Sequence, residues 1–303
     1  MGLFSNFNHS YDPWARSKLS RNDDYATAAF ISISQNGQKI GSSNDDYPRY
    51  LNSEYRVHDP IKYHKNLISN GFLVEASAEV ALKKLKVEQL KNILLQSGLS
   101  DKGKKDALIS RIIEGTNVNS LKLEKYYVPS EKGRAHLKKY GYVLTLRNYD
   151  IRWDEYDEFK KSRPDYWKPN DVIWRLLESR LNSYYIDGSY GLARNQLFNM
   201  AKLLESEGHY LDSLCYYCKV LYYDTSGCGN GNISDDNLMI APGLIDCIHK
   251  LKDHYDPRIL DRCYHRTYLP HHSLTRKAFE QLLFDIFEDK TIDIENYAKD
   301  FKG

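Results

Sequence analysis

No stretch of this 303-residue chain approaches the roughly 18 consecutive apolar residues that a bilayer-spanning helix needs. The first residues lack a basic segment followed by an apolar core, so no secretory signal is expected. Met1-Gly2 opens like a myristoylation site, but Asn6 stands where that signal requires Ser or Thr. Cysteine is scarce. Five residues, an odd number without a compact framework, argue against a disulfide scaffold and for free thiols in a reducing compartment. Also missing are a Walker loop, a Gly-x-Ser-x-Gly elbow and a His-Glu-x-x-His helix. These absences lead to the expectation of a cytoplasmic, non-enzymatic protein with no membrane contact, no cofactor and no metal.

The chain is 41% hydrophobic and 28% charged, which suits packed cores in a globular protein, and its length allows two or three domains. Tyr is abundant, with 25 residues, most of them in periodic segments where a large ring with a polar tip can widen helix packing. Charge is distributed unevenly. Leu82 to Ile113 carries eight cations (Lys83, Lys84, Lys86, Lys91, Lys102, Lys104, Lys105, Arg111) against three acids (Glu88, Asp101, Asp106), a net of +5. The whole chain is only +2, so the remainder is mildly acidic. A small basic module inside such a body suggests a nucleic-acid-binding device.

The periodicity predicts two short helices in that module. Val87, Leu90 and Leu94 recur on one, and Leu108, Ile109, Ile112 and Ile113 on the other, with Leu85 and Leu99 closing a small core that neighbouring segments must help. Between them, Asp101-Lys-Gly-Lys-Lys105 places three ammonium groups at the start of the second helix. The helix dipole disfavours cations there, so the cluster calls for an anion. A phosphate would take the free N–H groups and the Lys side chains together, and Gly103 would let the backbone approach it. The predicted nucleic-acid-binding residues are Lys102, Gly103, Lys104 and Lys105, with Lys86, Lys91 and Arg111 as peripheral charge. Use of the module for protein binding would show as an exposed apolar face, which the pattern does not reveal.

Leu85-Lys-Val-x-x-Leu90, Leu94, Gly98-Leu99, Gly103-Lys-Lys105 and Leu108-Ile109-x-Arg111-Ile112 together resemble the SAP motif, a helix–loop–helix DNA-binding module. The resemblance covers residues 82–114. It implies that the N-terminus of the second helix and its basic residues contact duplex DNA. Lys86 stands where the family usually caps the first helix with Thr or Ser, and Lys102 where Ser or Thr usually precedes the Gly. Charge in place of a hydroxyl favours phosphate contact over base reading. The wider layout resembles uncharacterised prophage-encoded SAP-domain proteins of Gram-positive bacteria. The shared features are Tyr47-Pro-Arg-Tyr50, Asp59-Pro60, Asn66-Leu-Ile68, Gly71, Ser130-Glu-Lys-Gly133 and Asn170-Asp-Val-Ile-Trp174. That resemblance implies a bacterial host cytoplasm and a phage-linked role, and no activity.

Elsewhere the punctuation is clear. Residues 1–56 read as a polar appendage, partly disordered by composition, in which Ala26–Ser34 ends in strand-like alternation before an Asn36-Gly37 turn. A helix starts at Asp59-Pro60 and stops at Asn70-Gly71. Tyr126–Val128 and Tyr142–Leu146 read as strands bracketing a helix from Ser130 to Tyr140, which gives a SAP-containing domain over 57–147 with a wing-like strand pair. Residues 148–169 read as a short helix and a Pro-punctuated linker. Residues 170–303 read as an all-α domain of about five helices, with Asn170-Asp171 capping the first and Gly188 and Gly191 breaking it.

Within that domain Ala201 to Asp224 resembles one tetratricopeptide-type hairpin, with small Ala201 and Ser213 where helices meet and Gly208 at the turn. An ordinary hairpin fits as well, since no second copy appears at a 34-residue period. Cys215-x-x-Cys218, with Cys228, Cys247, Cys263 and several His including His265, fits no compact zinc set and reads as buried thiols. Asp154, Glu155, Asp157 and Glu158 read as a solvated face, or as Mg²⁺ ligands if further groups join them.

The expected fold is mainly α with minor β. The expected function is a DNA-binding adaptor whose helical domain recruits a protein partner or self-associates. Two alternatives stand beside it: an interaction scaffold with a purely structural basic segment, and a metal-dependent nuclease.

Overall fold

The computed structural model describes residues 22–235, 238–264, 267 and 269–298. Residues 1–21 of the segment read as an N-terminal appendage, including Gly2 and Asn6, lie outside them, as does His265. The structure is mainly helical, with 63% helix and 4% strand among the described residues. It divides into two compact units, Met1–Thr145 and Leu146–Gly303.

The first unit begins with α1 (Asp23–Ile33), where a strand-like segment was expected. The Asn22 side chain caps it by accepting from the Asp24 and Tyr25 N–H groups, and Asp23 and Asp24 sit favourably in the first turn. Ala26, Ala28, Ala29, Phe30 and Ile31 are fully buried, so α1 is a core helix and not an appendage. Apolar on all sides, it has no 3.6-residue stripe to betray it. α2 (Tyr50–Ser53) and α3 (Pro60–Ser69) follow, the latter capped by Asp59 as its sequence foretold and ended by Gly71 at φ +72°.

Strand β1 (Leu73–Glu75) pairs antiparallel with β2 (Tyr127–Pro129), Leu73 opposite Pro129 and Glu75 opposite Tyr127. Between them lie α4 (Ala78–Lys84), α5 (Val87–Gln96) and α6 (Lys105–Gly115). α7 (Glu131–Tyr140) has Ser130 as its cap, and the single turn α8 (Val143–Leu146) spans the boundary between the units. The expected partner strand at Tyr142–Leu146 is therefore a helical turn, and Leu73–Glu75 takes its place in the pair. The basic module is an insertion between two strands that pair with each other, so the ladder anchors both of its ends.

The second unit comprises α9 (Trp153–Lys161), α10 (Pro169–Ile186), α11 (Tyr190–Ser206), α12 (Tyr210–Asp224), α13 (Pro242–Lys250), α14 (Arg258–Tyr264), α15 (Arg276–Phe287) and α16 (Ile294–Ala298). Residues 148–169 are not a free linker. Tyr156 on α9 is fully buried, and Arg180 of α10 bonds Glu155 and the Asp150 carbonyl. α10 starts at Pro169, so Asn170 and Asp171, read as its cap, lie inside its first turn, where Asp171 accepts from the Lys168 N–H at 2.8 Å.

Ser213 donates to the Ala201 carbonyl at 2.9 Å, so these two small residues do mark the close crossing of α11 and α12, and Gly208 turns between them at φ +79°. α11 begins at Tyr190, ahead of Gly191, which the sequence marks as a breaker. Gly188 ends α10, but Gly191 lies inside the first turn of α11, where Asn230 accepts from the Leu192 N–H at 3.1 Å. A cap from 38 residues away leaves no local sequence signal. Among the described residues no helix is long and apolar enough to cross a membrane.

Candidate nucleic-acid interface

The module's core is Leu82, Leu90, Leu94, Leu108, Ile109 and Ile112, all buried. Each contributes about 1.5–3 kcal/mol by leaving water. Leu85, Ile93, Leu99, Leu121 and Leu123 pack around it. The help expected from neighbouring segments thus comes from α4 through Leu82 and from the strand-ward segment through Leu121 and Leu123. The sequence reading missed these three. Their signal was Leu121-x-Leu123 alternation beside a core too small to stand alone. Two expected core positions are instead outside: Val87 is 42% exposed and Ile113 41%. With Leu95 at 60%, the module does present apolar side chains to solvent.

The helix starts follow from chemistry. At α5 the Lys86 N–H donates to Gln89 Oε1 at 2.8 Å, and Lys86, having no acceptor, cannot return the bond as Ser or Thr would. Gly98 at φ +70° closes α5, with the Leu99 N–H reaching the Leu94 carbonyl at 2.8 Å. At α6 the N-cap is Lys104, which supplies no side-chain cap. Gly103 precedes it at φ +126°, a conformation open to glycine and strained for other residues.

The predicted cations take different positions. Lys102 and Lys104 are exposed, and no carboxylate holds either one among the described residues. Lys105, half-buried, donates to the Lys83 carbonyl at 2.7 Å, tying the start of α6 to the end of α4. Arg111 donates to the Ser100 and Lys102 carbonyls at 2.6 and 2.9 Å and braces the loop from inside. Lys105 and Arg111 thus hold the turn in shape. Lys86 is exposed and Lys91 half-buried, each on α5 or at its start. Lys83 is drawn to Glu79 at 2.6 Å, a bond that raises its pKa.

The acids of α9 are engaged otherwise than expected. Asp154 is buried and paired with Arg152, Glu155 is paired with Arg180, and Glu158 with Lys161 at 2.6 Å. Among the described residues no three His, Cys, Asp or Glu side chains converge as a metal site would require. Cys215, Cys218, Cys228 and Cys263 are buried and Cys247 partly so. Burial pushes the Cys263 thiol up to about 12 and Cys218 well above its ordinary range, so both stay protonated and unreactive.

Set against protein-family models, curated protein sequences and solved structures, the chain matches none of them.

Proposed function

We propose that the chain is a non-enzymatic DNA-binding adaptor, in which a SAP-like module formed by α5 and α6 grips duplex phosphates. The observation that carries this reading is the start of α6. Two exposed lysines, Lys102 and Lys104, flank a glycine at φ +126°, and the helix has no side-chain cap. Free first-turn N–H groups, the positive end of the dipole and two unpaired ammonium groups together fit a phosphate. Gly103 brings the backbone close, Lys105 and Arg111 hold the turn, and Lys86 and Lys91 extend the field.

The second unit, with its tetratricopeptide-like pair α11 and α12, serves as the surface for a protein partner or for self-association. The setting that goes with this reading is the cytoplasm of a bacterial host and a phage-linked role.

The test is a salt titration of duplex binding. Replacing Lys102 and Lys104 with Glu is expected to abolish retention in a gel shift at ~100 mM salt. With about three to five phosphates neutralised, the wild-type slope of log K against log salt is about −3 to −4.5. Unchanged affinity in the double variant would sink the reading.

A protein scaffold is the second reading, and the exposed Val87, Leu95 and Ile113 favour it. It predicts salt-independent capture of a partner that Leu95→Asp abolishes. The nuclease reading draws little support, because three of the four α9 acids are bonded to Arg or Lys.

A further inference from the structure

α7 carries Lys132, Arg134, Lys138 and Lys139 against one acid, Glu131, within ten residues. All four cations are exposed. None is bonded to a carboxylate among the described residues. Lys132 donates to the Asn70 carbonyl at 2.9 Å and lies 4.3 Å from the Phe72 ring centre. Arg134 donates to the Pro129 carbonyl at 2.7 Å, and Lys139 sits 4.8 Å from the Tyr140 ring centre. Asp24 is the neighbouring acid, 4.0 Å from His136 at the edge of α7 beside α1. Some basic side chains of this unit do find acidic partners, as with Lys39 and Glu124, Lys83 and Glu79 or Lys125 and Glu75, whereas the α7 cations, like Lys102 and Lys104, do not among the described residues.

The helix is also fixed firmly. Ser130 caps it and donates to the Gly71 carbonyl at 2.6 Å, and a Cβ at Gly133 would stand 2.2 Å from the Phe72 carbonyl oxygen. A rigid helix with a cationic solvent face next to aromatic rings is complementary to a polyanion.

We infer that α7 is a second phosphate-binding element, contacting the backbone of the same duplex that the α5–α6 turn holds. The inference rests on the DNA-binding reading above. A compact unit of this length has a radius of gyration of about 14 Å. Its width is comparable with the roughly 34 Å rise of one duplex turn, so the separation of the two elements is within the length of one short DNA segment.

Lys138 and Lys139 are the test positions, because Lys132 and Arg134 also hold backbone carbonyls. The experiment measures duplex affinity of the full chain across salt for wild type, for Lys138→Gln with Lys139→Gln, and for Lys102→Glu with Lys104→Glu. Thermal melting shows that each variant is folded. The α7 variant is expected to bind more weakly, with a salt slope shallower by about 1.8, two phosphates' worth of released counterions. An unchanged slope in that variant, while the Lys102/Lys104 variant loses binding, overturns the role of α7 alone. Unchanged binding in both variants overturns the DNA reading itself. A loss confined to single-stranded DNA or RNA overturns the assignment to duplex.

Discussion

A single side chain can carry a pH dependence for the whole first unit. His64 on α3 is fully buried among Phe30, Tyr47 and Tyr127, with Nδ1 bonded to the Tyr47 hydroxyl at 2.9 Å and Nε2 without a partner. Burial disfavours the charged ring and lowers its pKa from 6.5 to about 4. The folded state therefore keeps the ring neutral at pH values where the unfolded chain already binds a proton. Stability is full above pH ~6.5 and falls as pH drops toward ~4, by about 3 kcal/mol in all. Urea unfolding at pH 7, 5.5 and 4.5 measures this loss, and His64→Phe is expected to remove that part of it. A similar slope in the variant would assign the acid sensitivity elsewhere.

Two other residues show that identity alone does not reveal employment. Lys104 and Lys105 are neighbours of one charge, yet Lys104 is free in solvent while Lys105 is bonded to the Lys83 carbonyl. The charge of this turn was legible from composition. Which of its lysines are available to a ligand was not, because that depends on where the end of α4 lies. Arg194 and Asp224 make the same point in the second unit, forming a forked pair at 2.7 and 2.8 Å whose carboxylate is 9% exposed, with burial raising the Asp224 pKa against the pull of the guanidinium.

At the scale of elements, those whose ends are written locally were readable. α3 has Asp59-Pro60 and Gly71, α5 has Gly98, α7 has Ser130, and each begins or ends where those residues dictate. α1, α8 and the start of α11 were misread. The first is apolar all round, the second is a single turn, and the third is capped by Asn230 from a distant loop.

Close packing adds a constraint that no propensity scale contains. Gly133 lies in the first turn of α7 with φ in the ordinary range, so its lack of a Cβ serves proximity to Phe72, not backbone freedom. Gly133→Ala is expected to lower stability by about 1–3 kcal/mol, the usual effect of overpacking, despite the better helix propensity of Ala. Chemical denaturation reads the sign directly. A stabilised variant would mean that α7 can shift away from β1 at little cost.

At the scale of the whole molecule, the chain forms two compact units joined near residue 145. The first carries both cationic elements, and the second carries the larger apolar core built on α11, α12, α14 and α15. On the proposed DNA reading, hydrogen exchange with and without a duplex is expected to protect amides around 102–106 and 132–139. Those of α11 and α12 should stay unchanged. Protection confined to the second unit would move the nucleic-acid surface away from the lysines named above.

By itself the sequence determined the helical class, the paired helices of the basic module, the buried thiols and the positive charge of one turn. These follow from period, caps and composition, all short-range properties of the chain. Tertiary structure alone decided that α1 belongs to the core, that Leu73–Glu75 and not Tyr142–Leu146 completes the ladder, and that Lys102 and Lys104 remain free while Lys105 and Arg111 are bound. Each of these depends on a partner distant in sequence. Burial, strand pairing and hydrogen bonding to backbone carbonyls select that partner only once the chain has closed upon itself.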